Sequence, residues 1–225
     1  MHTGRSARDG LFPSVARPGD VATRSTHDVQ FTAFMQHPVS LPSFCKMIAI
    51  IGIVACAGLA EVTMTPRIVD LGAFEVVGIM ASTNNAKEAG PDGIIGKQWQ
   101  QFLAEHLADK IPDRLDHDIL AVYTDYISDA NGQYTYILGA RVKPVINPVV
   151  PQGMVVKTIP AGRYAVFTSE RGPVAKVVVE TWKHIWSYYQ SPQNGTRAYV
   201  ADFEVYDERA NDPNNSQVDI YVGVK

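Results

Sequence analysis

Cysteine is nearly absent: Cys45 and Cys56 are the only two in 225 residues, and nothing after Cys56 can form a disulfide. A compact domain without cysteine fits a reducing compartment, so the expected location is the cytoplasm. Basic clusters are also missing. With 20 Lys and Arg against 23 Asp and Glu, the formal net charge is −3, and no patch is suited to neutralising phosphates, so direct nucleic-acid binding is not expected. The longest apolar run, Met47 to Ala60, is too short for the roughly 20 residues a membrane-spanning helix needs.

Enzyme and cofactor signatures are missing too. There is no Gly-x-Ser-x-Gly nucleophile turn and no glycine-rich phosphate loop. His106, His117 and His184 do not fall at metal-ligand spacing. Asp125, Asp129 and Asn131 fit no calcium loop, and a turn explains them. No metal or cofactor is therefore expected. Asn194-Gly-Thr196 matches a glycosylation acceptor, which matters only in a eukaryotic secretory pathway.

What is present falls into three zones. Residues 1–63 read as a disordered leader, rich in Arg, Ser, Thr, Pro and Gly and without periodicity up to about residue 46, with a short apolar segment at 47–60. That segment has the length and small-residue exit of a signal-peptide core, but it starts far from the N-terminus. Three readings stay open: translation begins at Met64, the segment is an export or lipid-anchoring signal, or it is an element of the fold. The second would move the protein out of the cytoplasm.

Residues 64–225 alternate strands and amphipathic helices in two copies, about 66–142 and 154–225. The first has a strand at Phe74–Met80, then Ile95, Trp99, Phe102, Leu103 and Leu107 at helical spacing up to Pro112. Strands at Asp118–Tyr126 and Tyr134–Val142 follow, joined by the turn Asp129-Ala-Asn-Gly132. The second has a strand at Met154–Phe167 bent at Pro160-Ala-Gly162, and Pro173 in a helix's first turn. Val174, Val178, Trp182, Ile185 and Trp186 then fall at helical spacing, before strands at Tyr199–Tyr206 and Val218–Val224. The expectation is an α+β fold of duplicated strand-helix-strand-strand modules, with antiparallel sheets around a pseudo-twofold pocket.

Period-2 alternation puts Glu204 and Tyr206 on one face of their strand. In the last strand Val218, Ile220, Val222 and Val224 form a helix-facing stripe, leaving Asp219 and Tyr221 opposite. The face away from the helices is thus expected to carry Glu204, Tyr206, Asp219 and Tyr221, with Thr124 and Tyr126 matching in the first copy. Tyrosines around a carboxylate suit an aromatic cation; a solvated outer sheet face would read the same way.

Five stretches resemble the GyrI-like effector-binding domain, also found as the ligand-sensing domain of AraC-type transcription activators. They are Phe74-Glu-Val-Val-Gly78 with Thr83-Asn-Asn-Ala86, and Val122-Tyr-Thr-Asp-Tyr126 with Tyr134-Thr-Tyr-Ile-Leu-Gly139. Ile159-Pro-Ala-Gly-Arg-Tyr-Ala-Val-Phe167, Asp202-Phe-Glu-Val-Tyr-Asp-Glu-Arg209 and Val218-Asp-Ile-Tyr-Val-Gly-Val224 complete the series. The resemblance implies an aromatic pocket that takes small hydrophobic, cationic ligands on a glutamate, here Glu204. Tyr221 matches an aromatic pocket position, and Trp182 and Trp186 lie on the helix that closes the site. Tyr126 and Tyr206 complete the expected set. Residues 1–63 lack the helix-turn-helix units of the activators, which points to a stand-alone binding protein, monomeric or dimeric. Relatives described as hydrolases of cyclopropane genotoxins, with the same glutamate, and as gyrase-inhibiting partners supply the two alternatives.

Overall fold

The computed structural model describes residues 64–144 and 149–225. The leader, its apolar segment and residues 145–148 between the two copies lie outside them. The elements are β1 (Arg67–Leu71), β2 (Phe74–Thr83), α1 (Asn85–Glu88), α2 (Ile95–Ala104), α3 (Leu107–Lys110), β3 (Ile119–Thr124) and β4 (Tyr134–Val142). They continue with β5 (Val155–Ile159), β6 (Gly162–Thr168), α4 (Val174–Tyr188), β7 (Arg197–Tyr206) and β8 (Asp219–Val224). Among the described residues no helix is long and apolar enough to cross a membrane.

All eight strands join one antiparallel sheet in the order β1-β6-β8-β7-β3-β4-β2-β5. Read inward from each edge, the halves are β1-β6-β8-β7 and β5-β2-β4-β3, so the duplication becomes a pseudo-twofold axis between β7 and β3. Each copy holds one strand more than expected. The strand expected at Met154–Phe167 breaks at Pro160 and Ala161 into β5 and β6, and a matching short strand, β1, precedes β2. The extra strands are exchanged: β1 pairs with β6 and β5 with β2. Each copy therefore finishes the other's half-sheet.

The sheet is curled. Phe74 on β2 and Phe203 on β7 are separated by two strands, about 14 Å in a flat sheet at the usual spacing, yet their ring centroids are 5.4 Å apart. The inner face holds Val76, Leu120, Val122, Ile137, Ile159, Tyr164 and Phe203, all buried. Close approach of β2 and β4 depends on Gly78 opposite Gly139: a Cβ on Gly139 would lie 2.0 Å from the Val77 carbonyl oxygen.

The other face carries the helices. Trp99 and Phe102 of α2 pack on Val77, Leu138 and Ala140. Val174, Trp182 and Ile185 of α4 pack on Phe167, Ile220 and Val222. The helix expected to run as far as Pro112 stops at Ala104, because His106 is left-handed with φ 51°; Leu107 is buried from the separate α3. The Glu88 carboxylate accepts the Ile94 and Ile95 N–H groups at 3.0 and 3.1 Å, filling donors that the start of α2 leaves open.

Candidate functional site

A cavity of about 380 Å³ lies between α2 and α4, over the axis where β3 meets β7. Its walls combine aromatic and aliphatic side chains. Trp99, Trp182, Trp186, Tyr123, Tyr126, Tyr134 and Tyr206 line it, with Val178 and Val179 on α4 and Glu88, Arg197 and Glu204 as its charged members. Val179 and Trp186 are about half exposed, at 50% and 41%, so the rim is apolar.

Glu204 is 2% exposed. Its register partners are Ala121 on β3 and Ile220 on β8. Its Oε1 accepts the Tyr123 hydroxyl at 2.8 Å and the Trp182 indole N–H at 2.6 Å. Its Oε2 accepts the Tyr206 hydroxyl at 2.7 Å. All three donors are neutral, and among the described residues no Lys, Arg or His pairs with this carboxylate. Burial pushes the Glu204 carboxyl above its usual range, and the bonds from Trp182, Tyr206 and Tyr123 offset part of that rise. Burial first, and then the Glu204 charge, holds the Tyr123 and Tyr206 hydroxyls well above ordinary phenol values. Both therefore remain protonated donors. Each carboxylate oxygen has two acceptor positions, so the described residues leave one on Oε2 unfilled.

A second acid, Asp202, sits two residues earlier on the same face and is fully buried. It differs from Glu204 in being paired: Arg197 Nη2 donates to Asp202 Oδ2 at 2.5 Å, the Tyr126 hydroxyl at 2.6 Å and the Gly223 N–H to Oδ1 at 2.8 Å. In a regular strand residues five apart point to opposite faces and lie about 16 Å apart. Here β7 bulges between Arg197 and Asp202, with Tyr199 left-handed at φ 53°, and the two meet.

Five of the six expected site residues, Glu204, Trp182, Trp186, Tyr126 and Tyr206, line this one cavity. Tyr221 does not, and the expected face is corrected. The register sets Tyr221 opposite Phe203 and Glu204 opposite Ile220. The apolar stripe of β8 does face the helices, and Glu204 faces them with it. Tyr221 stacks on Phe203 at 4.5 Å on the inner face, where its hydroxyl accepts from Arg67 Nη2 at 3.3 Å. Asp219 is held by Arg209 at 2.9 Å and Thr168 at 2.6 Å. Thr124 spends its hydroxyl on the Val200 carbonyl.

Tyr123, Tyr134, Trp99, Glu88, Asn85 and Arg197 were not foreseen as site residues. Tyr123 and Tyr126 share the cavity although three apart, because Asp125 at φ 51° breaks the alternation after β3. The Asp125-containing turn was the only signal for this. His184 is half-buried and lies against the Met64 carbonyl at 3.2 Å.

A family model described as Cass2, integron-associated effector binding protein, matches residues 67–224. YobU of Bacillus subtilis strain 168, which carries the name of a transcriptional regulator protein, is 34% identical over 149 residues, covering 66% of this chain and 90% of its own. Among solved structures, an integron cassette protein from the mobile metagenome of Vibrio cholerae has a TM-score of 0.56 at 29% identity, covering 72% of this chain and 96% of its own. SAV2435, solved bound to tetraphenylphosphonium, has a TM-score of 0.59 at 20% identity, covering 72% and 94%; that likeness is one of fold. The fold is thus the GyrI-like one that the five sequence stretches resemble. This chain belongs to the Cass2 family of integron-associated effector-binding proteins.

Proposed function

We propose that the cavity binds a lipophilic organic cation, with Glu204 as its counter-charge and the surrounding rings as its walls. Membership in an effector-binding family makes a small molecule the ligand class, and the site's chemistry narrows it. The observation that carries the reading is the buried, unpaired state of Glu204. A carboxylate withdrawn from water at a cost of several kcal/mol has, among the described residues, three neutral donors as compensation, and an entering cation supplies the missing charge. Indole and phenol faces attract a cation within about 6 Å of their centres. The solved complex of SAV2435 with tetraphenylphosphonium supports the same class of ligand.

The three tryptophans of the chain all line the cavity, so intrinsic fluorescence reports its filling. Titration with tetraphenylphosphonium and with an uncharged tetraphenyl analogue of the same shape tests the reading. The expected result is tighter binding of the cation by about tenfold or more, a difference of about 1.4 kcal/mol. Equal affinities would remove charge from the recognition.

A further inference from the structure

We propose that the cavity has a second recognition pole at Arg197, which takes a neutral carbonyl-type oxygen, so that the preferred ligand is an aromatic cation carrying such an acceptor. This rests on the reading of Glu204 as the cation's counter-charge.

Arg197 lines the cavity and is 4% exposed. Among the described residues only Asp202 engages it, at Nη2. The buried Nε and Nη1 have no hydrogen-bond partner among those residues, and buried donors left unpaired are rare in folded proteins. The guanidinium is held in place: its Cζ lies 4.5 Å from the centre of the Tyr199 ring and 5.8 Å from that of Trp182. Trp182 joins the two poles. Its N–H is bonded to Glu204 while its ring lies beside Arg197, so one indole separates a carboxylate from a guanidinium that do not pair with each other. The Nε–H and Nη1–H groups are rigid donors on different edges of the planar guanidinium, so a single carbonyl oxygen pairs with one of them. A neutral oxygen suits this pole better than an anion, since Asp202 already balances Arg197 and Glu204 lies across the same ring.

The test uses three ligands of one size: para-acetyl trimethylanilinium, para-ethyl trimethylanilinium and para-ethyl tert-butylbenzene. The first two differ by a carbonyl against a methylene, the last two by charge alone. Calorimetric titration is expected to show the acetyl cation bound about tenfold more tightly than the ethyl cation. In Arg197→Lys, which keeps a positive charge beside Asp202 and removes the guanidinium N–H groups, that ratio is expected to fall to about one. The ratio cancels any general loss of affinity, and a thermal melt checks that the variant is folded. Equal binding of the two cations by the wild type overturns the second pole while leaving the first, provided both exceed the neutral compound. An acetyl preference that survives in Arg197→Lys overturns it as well. Equal binding of the ethyl cation and the neutral compound removes the Glu204 pole, and this inference with it.

Discussion

Tyr123 and Glu204, from opposite halves of the duplicated sheet, meet at 2.8 Å across the pseudo-twofold axis. The contact is diagonal, since Glu204 has the small Ala121 as its direct partner and Tyr123 has Asp202. Neither copy alone can build the site: β7 supplies the carboxylate, β3 a hydroxyl and α4 the indole.

The donors on the two oxygens are unequal, and this makes them separable. Tyr123→Phe leaves the Trp182 N–H on Oε1, whereas Tyr206→Phe strips Oε2 of its only donor among the described residues. Hydrogen bonds to a charged group are worth about 1.5–3 kcal/mol, so each change is expected to raise the Glu204 pKa, Tyr206→Phe more than Tyr123→Phe. The pH dependence of cation affinity in the two variants measures the order.

The raised Glu204 value fixes the sign of a stability trend. A carboxyl whose folded-state value exceeds its unfolded one contributes stability that is complete below the unfolded value and lost as the pH rises through the folded value. Glu204→Gln removes that contribution. The stability of the variant relative to the wild type should therefore increase from acid to neutral pH, read from paired denaturation curves. Affinity for a permanently charged cation should fall in the wild type as Glu204 protonates, and stay flat in Glu204→Gln.

Much of this site was legible because Glu204, Tyr206, Trp182 and Trp186 lie on strongly patterned elements. The stripe from Val218 to Val224 was assigned correctly to the helices. Which face of β7 joined it was not, because alternation within a strand says nothing about register between strands, and β7 against β8 sets Phe203, not Glu204, beside Tyr221. Arg197 was hidden for a related reason: only a bulge brings it to Asp202, and Tyr199, whose left-handed φ accompanies it, carries no turn signal. The short strand β1 was missed, and β5 was read as the first half of one bent strand, because each completes the opposite half of the sheet, a long-range pairing that no local pattern announces.

That correction separates two tyrosines. Tyr221→Phe keeps the stack on Phe203 and removes one exposed hydrogen bond outside the cavity, so cation affinity should change by less than about twofold. Trp182→Phe removes a donor from Glu204 and a ring from the wall, and should weaken binding by about tenfold or more. The two dissociation constants, measured side by side, check the placement.

The sheet itself makes a prediction at Gly139. A methyl group there meets the Val77 carbonyl oxygen at 2.0 Å and the Gly78 Cα at 2.7 Å, both backbone atoms that cannot move without opening β2 from β4. Gly139→Ala is expected to cost about 1–3 kcal/mol. A thermal melt should show the midpoint lowered by about 2–4 °C per kcal/mol.

The central claim is that the charge on Glu204 recognises a charge on the ligand, and a four-sided cycle measures that coupling. Affinities of the wild type and Glu204→Gln are determined for tetraphenylphosphonium and for its uncharged analogue. The account predicts that the substitution weakens the cation by about tenfold or more while changing the neutral compound little, a coupling of about 1.4 kcal/mol. An equal loss for both ligands, or none for either, would contradict it.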